Sequence, residues 1–273
     1  MEQNYFKFDK KVLKENLKRN AVDWKKELKK CALDTTRAYM IEKYVFKSPL
    51  WKGQKEILEC TKHRHVTFST KSRAVGYTTL MAALIACEMV LNCDVENSDL
   101  VYISHTEQDK RIFQNKVIEF IDSIPKELWT TDSLELIVNK NRSIILGKST
   151  LLLKCASNGQ STTYNNEEPK YTIYDEMVRT KDNFDFNDPN EHYWFVKSDK
   201  VIIGGCPNHM NEKYFNFAKT YKEKYGSFVK MKWSDNPKHT SEDYQLRKTW
   251  ASDIHAFSSE FDCEIFKLKK ETL

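Results

Sequence analysis

Residues 71–79 read KSRAVGYTT, with hydroxyls, cations and a single glycine arranged as in a phosphate-binding loop. In the common G-x-x-x-x-G-K-[ST] loop, backbone N–H groups cradle the phosphates, the lysine reaches the β/γ oxygens and the hydroxyl holds Mg²⁺. Aligned on Gly76, this chain carries Tyr77 where that lysine belongs, Thr78 in the metal position and Lys71 where the first glycine stands. The loop is therefore either defective or rewired around a cation at its front. A second run, Tyr171 to Glu176 (YTIYDE), is apolar and β-prone and ends in two carboxylates. At the C-terminal end of a parallel strand, Asp175 would accept from Mg²⁺-bound water. Glu176 would then orient or deprotonate the water that attacks the γ-phosphate. A plain strand-to-helix turn accounts for the first motif and an exposed strand end for the second. Together and in this order they favour phosphoryl transfer.

Such residues need a strand, a loop and a helix N-terminus in sequence, because the helix end supplies the positive dipole that faces the phosphates. Val66 to Ser69 (VTFS) is a short β-prone run, and the stretch from Thr79 to Leu91 is apolar, rich in helix formers and free of Gly and Pro. Leu100 to Ser104 (LVYIS) predicts a second buried strand, and Glu107 to Ile124 a helix stopped by Pro125. Strand-like runs at 134–139, 143–146 and 150–156 predict a hairpin or small meander. After the YTIYDE strand come an acidic, Asn-rich loop at 181–191, a strand at Lys200 to Ile203, the run Gly204 to Asn208 and a helix over 212–225. Towards the N-terminus, two or three helices are expected within 9–46, a turn at Ser48-Pro49 and a helix opening at Trp51. Strands alternating with helices at this spacing predict an α/β fold with an open, mostly parallel sheet covered on both faces.

With 273 residues, 40% of them hydrophobic, the chain is long enough for one large α/β domain with an appendage. No apolar run reaches the roughly 18 residues of a membrane span, and the lysine-rich start lacks the apolar stretch of a signal peptide, so a cytoplasmic protein is expected. Seven scattered cysteines without a C-x-x-C pair read as reduced, buried thiols and not as zinc ligands. The net charge of +5 is uneven: the first fifty residues hold 13 Lys/Arg against 7 Asp/Glu, the remainder 31 against 32. That basic segment is either a solvated face or a surface for DNA phosphates or an acidic neighbouring subunit.

The order KSRAVGYTT, VYISHTEQDKR, hairpin, YTIYDE and VIIGGCPN resembles the ATPase domain of tailed-phage large terminase subunits, and WSDNP followed by FSSEFDCEIF resembles the segment that closes that domain. Some members of the family carry a deviant loop with its lysine at the front. The resemblance spans about residues 48 to 266 and implies a RecA-like P-loop NTPase fold, ATP and Mg²⁺ as cofactors, residues 1–47 as a helical basic arm and 267–273 as a basic tail. It further implies that Lys71 reaches the β/γ-phosphates, that Ser72, Arg73, Gly76, Tyr77, Thr78 and Thr79 form the loop, and that Thr78 and Asp175 serve the metal. Arg73 lies near the γ-phosphate in this scheme, and Glu176 is the catalytic base. Gln54 takes the place of an adenine-reading glutamine. Gly204, Cys206 and Asn208 belong to a coupling motif that passes the γ-phosphate state to DNA-gripping parts. The family's arginine some ten residues before the acidic pair is missing, since 158–170 holds none; Arg73 in cis, or Arg142 or Arg179 in trans, are the candidates. The implied partners are double-stranded DNA, a portal protein and a small terminase subunit, with the chain in a homo-oligomeric ring. After Phe266 too few residues follow for the family's nuclease domain, so ATP hydrolysis without DNA cleavage is expected, any nuclease being a separate polypeptide or part of a longer chain. A helicase-like ATPase and a catalytically inactive nucleotide-binding or scaffold protein remain as alternatives. Under the rewired reading, Tyr77→Lys should be tolerated.

Overall fold

The computed structural model describes residues 22–63, 65–96, 98–129, 135–140, 142–155, 168–176, 197–207 and 226–263. The helices expected within 9–21 and over 212–225, and the loop at 181–191, lie outside them.

The first helices, α1 (Trp24–Leu33) and α2 (Ala38–Met40), lead into a π-helical turn at Ile41–Val45, and α3 (Lys52–His63) follows. Strand β1 (Val66–Lys71) feeds the loop and α4 (Tyr77–Leu91); β2 (Leu100–Ser104) feeds α5 (Glu107–Ser123). Thr106 caps α5 by accepting from the Asp109 N–H at 3.1 Å, which sets the helix start where the sequence placed it. Then come β3 (Leu136–Asn139), β4 (Ser143–Leu146), β5 (Ser149–Cys155), β6 (Tyr171–Asp175), β7 (Lys200–Gly205) and β8 (Gly226–Met231). Helices α6 (Ser241–Trp250) and α7 (Ile254–Asp262) close the described chain.

The eight strands among the described residues form one sheet in the order β3-β4-β5-β2-β6-β7-β1-β8. The hairpin strands β3 and β4 are antiparallel to their neighbours, and the strands from β5 to β8 in that order are parallel. The mostly parallel α/β fold predicted from sequence is thus the fold observed. Two details differ. Strand β1 runs on to Lys71, because β8 pairs with it through Lys71↔Met231. Strand β8 itself carries no strong sequence signal: GSFVKM is short, mixed in polarity and joined to the preceding helical pattern.

Helix α4 is apolar on every side and buried on every side, as expected of a helix enclosed by a core. It packs with α5 and the π-helical turn against one face of the sheet, through Tyr102, Ile173 and Ile202 among others. The opposite face, with Phe68, Val101 and Ile203, is equally buried. Within α4, Glu88 is 1% exposed and is paired with Arg37 (2.7 Å) and Lys170 (2.8 Å). A charge this deep is tolerated only with such partners. Arg37 also donates to the Asp34 carbonyl at 2.8 Å, so the network ties the turn after α1 to the helix that follows the loop.

A second carboxylate organises the N-terminal helices. Glu27 Oε1 accepts from Tyr39 OH (2.5 Å), Lys43 Nζ (2.5 Å) and Tyr44 OH (2.7 Å). Partial burial raises its pKa, but the three donors outweigh that and hold it down at about 2. Because folding depresses this pKa, the contribution to stability is complete above the unfolded value of about 4 and is lost as pH falls through about 2. The melting temperature of Glu27→Gln should therefore lie below that of the parent at pH 6, with the gap closing as the pH approaches 2. A gap independent of pH would show that packing, not charge, is what Glu27 contributes.

Candidate functional site

The parallel register sets the C-terminal ends of β1, β6 and β7 side by side: Asp175 is level with Gly204, and Gly204 with Ser69. Lys71 closes β1, and the chain turns through 72–76 into α4. Gly76 has φ +73°, which favours glycine, and a Cβ there would stand 3.0 Å from Gln54 Nε2 and 3.4 Å from the Trp51 ring, so the space is tight as well. A cavity of about 470 Å³ opens here, lined by residues 71–79 with Glu176 and Cys206. The structure thus brings the two sequence motifs to one cavity.

Lys71, 8% exposed, places Nζ 3.0 Å from Asp175 Oδ1 and 2.7 Å from Glu176 Oε1. Burial works against its charge, yet the two carboxylates outweigh burial and hold its pKa above the ordinary lysine value. Thr78 Oγ1 donates to Asp175 Oδ2 at 2.6 Å, and Tyr102 OH donates to the same oxygen at 3.1 Å. Glu176 adopts φ +57°, a strained backbone for a residue with a Cβ, costing about 1–3 kcal/mol and typical of residues held for function. Its Oε2 accepts a long 3.5 Å bond from the Cys206 N–H, joining the acidic pair to the end of β7.

The donor set suits Mg²⁺: a carboxylate and a hydroxyl are hard oxygen ligands, and this ion commonly binds through one or two carboxylates plus substrate phosphates. Among the described residues no group of three or more His, Cys, Asp or Glu side chains gathers to hold a metal by itself. None of the described helices is long and apolar enough to cross a membrane.

Tyr77 does not stand in the cavity as a lysine would. Its side chain is 2% exposed and lies over Gly204, where a Cβ would come within 2.3 Å of Tyr77 Cζ. The Lys71 ammonium sits 5.0 Å from the centre of this ring, within cation–π range. The tolerance of Tyr77→Lys expected from sequence therefore fails on packing: the change removes a buried ring and brings a second cation beside Lys71. Overpacking at a tight backbone contact costs about 1–3 kcal/mol, so Gly204→Ala should destabilise the fold by that much. Tyr77→Lys should destabilise it at least as strongly. Urea melts of the two variants check this, and a Gly204→Ala midpoint equal to the parent's would mean that the ring yields freely.

The remaining candidates are placed unequally. Ser72, Thr78 and Thr79 line the cavity as expected. Arg73 also lines it, with a side chain 57% exposed whose guanidinium donates to Glu260 Oε1 of α7 at 2.9 Å. Gln54 is buried behind the loop, and its Oε1 accepts from the Trp51 N–H at 3.0 Å, capping its own helix. Gly204 and Cys206 are at the end of β7 beside the acids, while Asn208 and Arg179 fall outside the described residues. Arg142 is exposed in the β3–β4 turn, at the level of Leu153 near the end of β5. Three strand spacings, about 14 Å, separate β4 from β6, and Arg142 does not line the cavity. Sequence reasoning did not single out Tyr102, which the strand alternation alone puts on the α4 face.

A loop leading from β1 into α4, an acidic pair at the end of β6 and strands ordered β5-β2-β6-β7-β1-β8 make an open, parallel α/β arrangement with the site at the strand ends. More particularly, the fold is that of phage large terminase ATPase domains. The ATPase domain of the Thermus phage P74-26 large terminase superposes with a TM-score of 0.64 at 15% identity, covering 84% of this chain and 98% of that one. The large terminase of bacteriophage HK97 gives 0.62 at 13% identity over 84% of this chain and 54% of its own. A large terminase from a thermophilic bacteriophage, in complex with ADP, gives 0.55 at 9% identity over 77% and 52%. The chain thus spans about half the length of these last two terminases. No protein-family model and no curated protein sequence matches it.

Proposed function

We propose that this chain is a Mg²⁺-dependent ATPase that drives double-stranded DNA into a viral procapsid. The observation that carries the reading is the Lys71 ammonium on both acids at the mouth of the loop, with Thr78 already bonded to Asp175. Four groups that phosphoryl transfer needs are thereby within one hydrogen-bonded cluster. Mg²⁺, when bound with ATP, supplies neutralisation of the charge on the β/γ oxygens, and Thr78 and Asp175 are the residues that would hold it. Lys71 then exchanges its carboxylate partners for phosphate oxygens. Glu176, released from Lys71, takes the proton of the attacking water, while the loop N–H groups at the start of α4 bind the phosphates. The Glu176 contact with the Cys206 N–H gives the end of β7 a means of registering whether the γ-phosphate is present.

The likeness to terminase ATPase domains supports the motor reading. In that reading the chain works as a ring on a portal protein with a small terminase subunit, inside the host cytoplasm. Arg142 or Arg179 reaches the nucleotide of the neighbouring subunit, and the basic N-terminal segment meets DNA or a neighbour. The deciding experiment measures ATP turnover by the purified chain alone, with duplex DNA, with single-stranded DNA and with procapsids. Stimulation by duplex and procapsid is expected, with DNA binding that tolerates any sequence and weakens steeply with salt. Stimulation by single strands alone would instead establish a helicase-like ATPase, and absence of turnover under every condition an inactive nucleotide binder.

A further inference from the structure

The segment after β8 grips the loop from outside the cavity. The Ser72 N–H donates to the Met231 carbonyl at 2.8 Å, and Asn236, buried, donates through Nδ2 to the Ala74 carbonyl at 3.1 Å. Every polar position of that amide is used. Oδ1 accepts from the Lys238 N–H at 3.0 Å, and the second Nδ2 hydrogen meets His239 Nε2 at 3.1 Å. His239 must therefore present a bare Nε2, leaving Nδ1–H to donate to the Trp233 carbonyl at 2.9 Å. Its ring is stacked on the Trp233 indole, centroids 3.9 Å apart and planes 14° from parallel. Turning the amide over would set NH₂ against an N–H and oxygen against a carbonyl, so the three partners allow one orientation only.

What Asn236 holds is a residue that does not rest easily. Ala74 has φ +57°, left-handed backbone that an alanine avoids. Arg73 and Val75, on either side of it, line the cavity, so the carbonyl held at 74 fixes the course of the backbone there. We infer that Asn236, oriented by His239, is a positioning residue that straps the loop in its phosphate-receiving shape, so that the 233–239 segment sets the affinity of the site. This rests on the reading of 71–79 as a phosphate site. A cap or a packing role for Asn236 would need only its Oδ1 bond to Lys238.

Asn236→Asp separates these roles, because aspartate has the same shape and keeps the Lys238 bond but loses both donated hydrogens. Loss of a buried hydrogen bond to a strained loop should raise the dissociation constant for ADP and the KM for ATP about tenfold, with kcat changed less than about twofold. In the nucleotide-free protein, amide hydrogen exchange across 72–76 should quicken by about the same factor. His239→Phe keeps the stack on Trp233 but removes the acceptor, and it should move both readouts in the same direction by less; it also serves if the aspartate variant does not fold. Loop exchange that stays at the parental rate in a folded variant overturns the strap. If the parent chain binds no ADP while loop exchange still quickens in the variants, the nucleotide reading fails and the strap stands.

Discussion

Lys71→Ala is expected to lower ATP turnover by about 10²–10³-fold, the effect of removing one preorganised charge from a transition state that spreads negative charge over phosphate oxygens. The alternative view, in which a loop with tyrosine in the lysine position is dead, gives no change, because there is no activity to lose. Removal of Lys71 also leaves Asp175 and Glu176 without the cation that they share at 3.0 and 2.7 Å. Breaking a buried pair from one side costs about 3–5 kcal/mol, so circular dichroism must accompany the kinetics. Lys71→Met, which keeps the length and the apolar stem, is the variant that isolates charge from packing. If folded Lys71→Met hydrolyses ATP at the parental rate, the front-loaded lysine is not the catalytic cation and Arg73 becomes the residue to test.

Glu176→Gln should bind ATP with near-parental affinity and turn over about 10²–10⁴-fold more slowly, the usual contribution of a positioned general base. The glutamine retains size and hydrogen bonding, so it can still lie near Lys71 and the Cys206 N–H, but it cannot take a proton. Binding and turnover therefore come apart in this variant, whereas in Lys71→Ala both should fall. Asp175→Asn offers the contrast: it disturbs Thr78 and Tyr102 together, which both donate to Oδ2, and it should raise the Mg²⁺ concentration needed for half-maximal turnover. Normal hydrolysis by Glu176→Gln would remove Glu176 as the base.

Much of this arrangement was legible in the sequence because its signals are local. An apolar strand ending in Asp175-Glu176 and a long apolar helix after Gly76 are patterns within a few residues, and the fold sets them where the patterns require. The parallel sheet followed from alternation of strands and helices. What was not legible depends on contacts between distant segments. Nothing near Lys71 says that it belongs to a strand and not to the loop; that is decided by Met231, some 160 residues later, through β8. The burial of Tyr77 likewise depends on Gly204, which the sequence offered only as a coupling glycine. Gln54 carries the right side chain at the expected place, but helix capping has claimed its oxygen. Asn236 stood within a quoted motif, yet its hold on Ala74 is visible only in three dimensions.

The contact of Tyr77 with Gly204 constrains the chain's history as well as its shape. With the ring in place, position 204 admits no side chain. With glycine at 204, a lysine at 77 would leave the ring's volume unfilled and crowd Lys71. A return to the common loop would thus demand simultaneous changes at 71, 77 and 204, each harmful alone. Substitutions at these three positions should therefore be tolerated together and not one at a time.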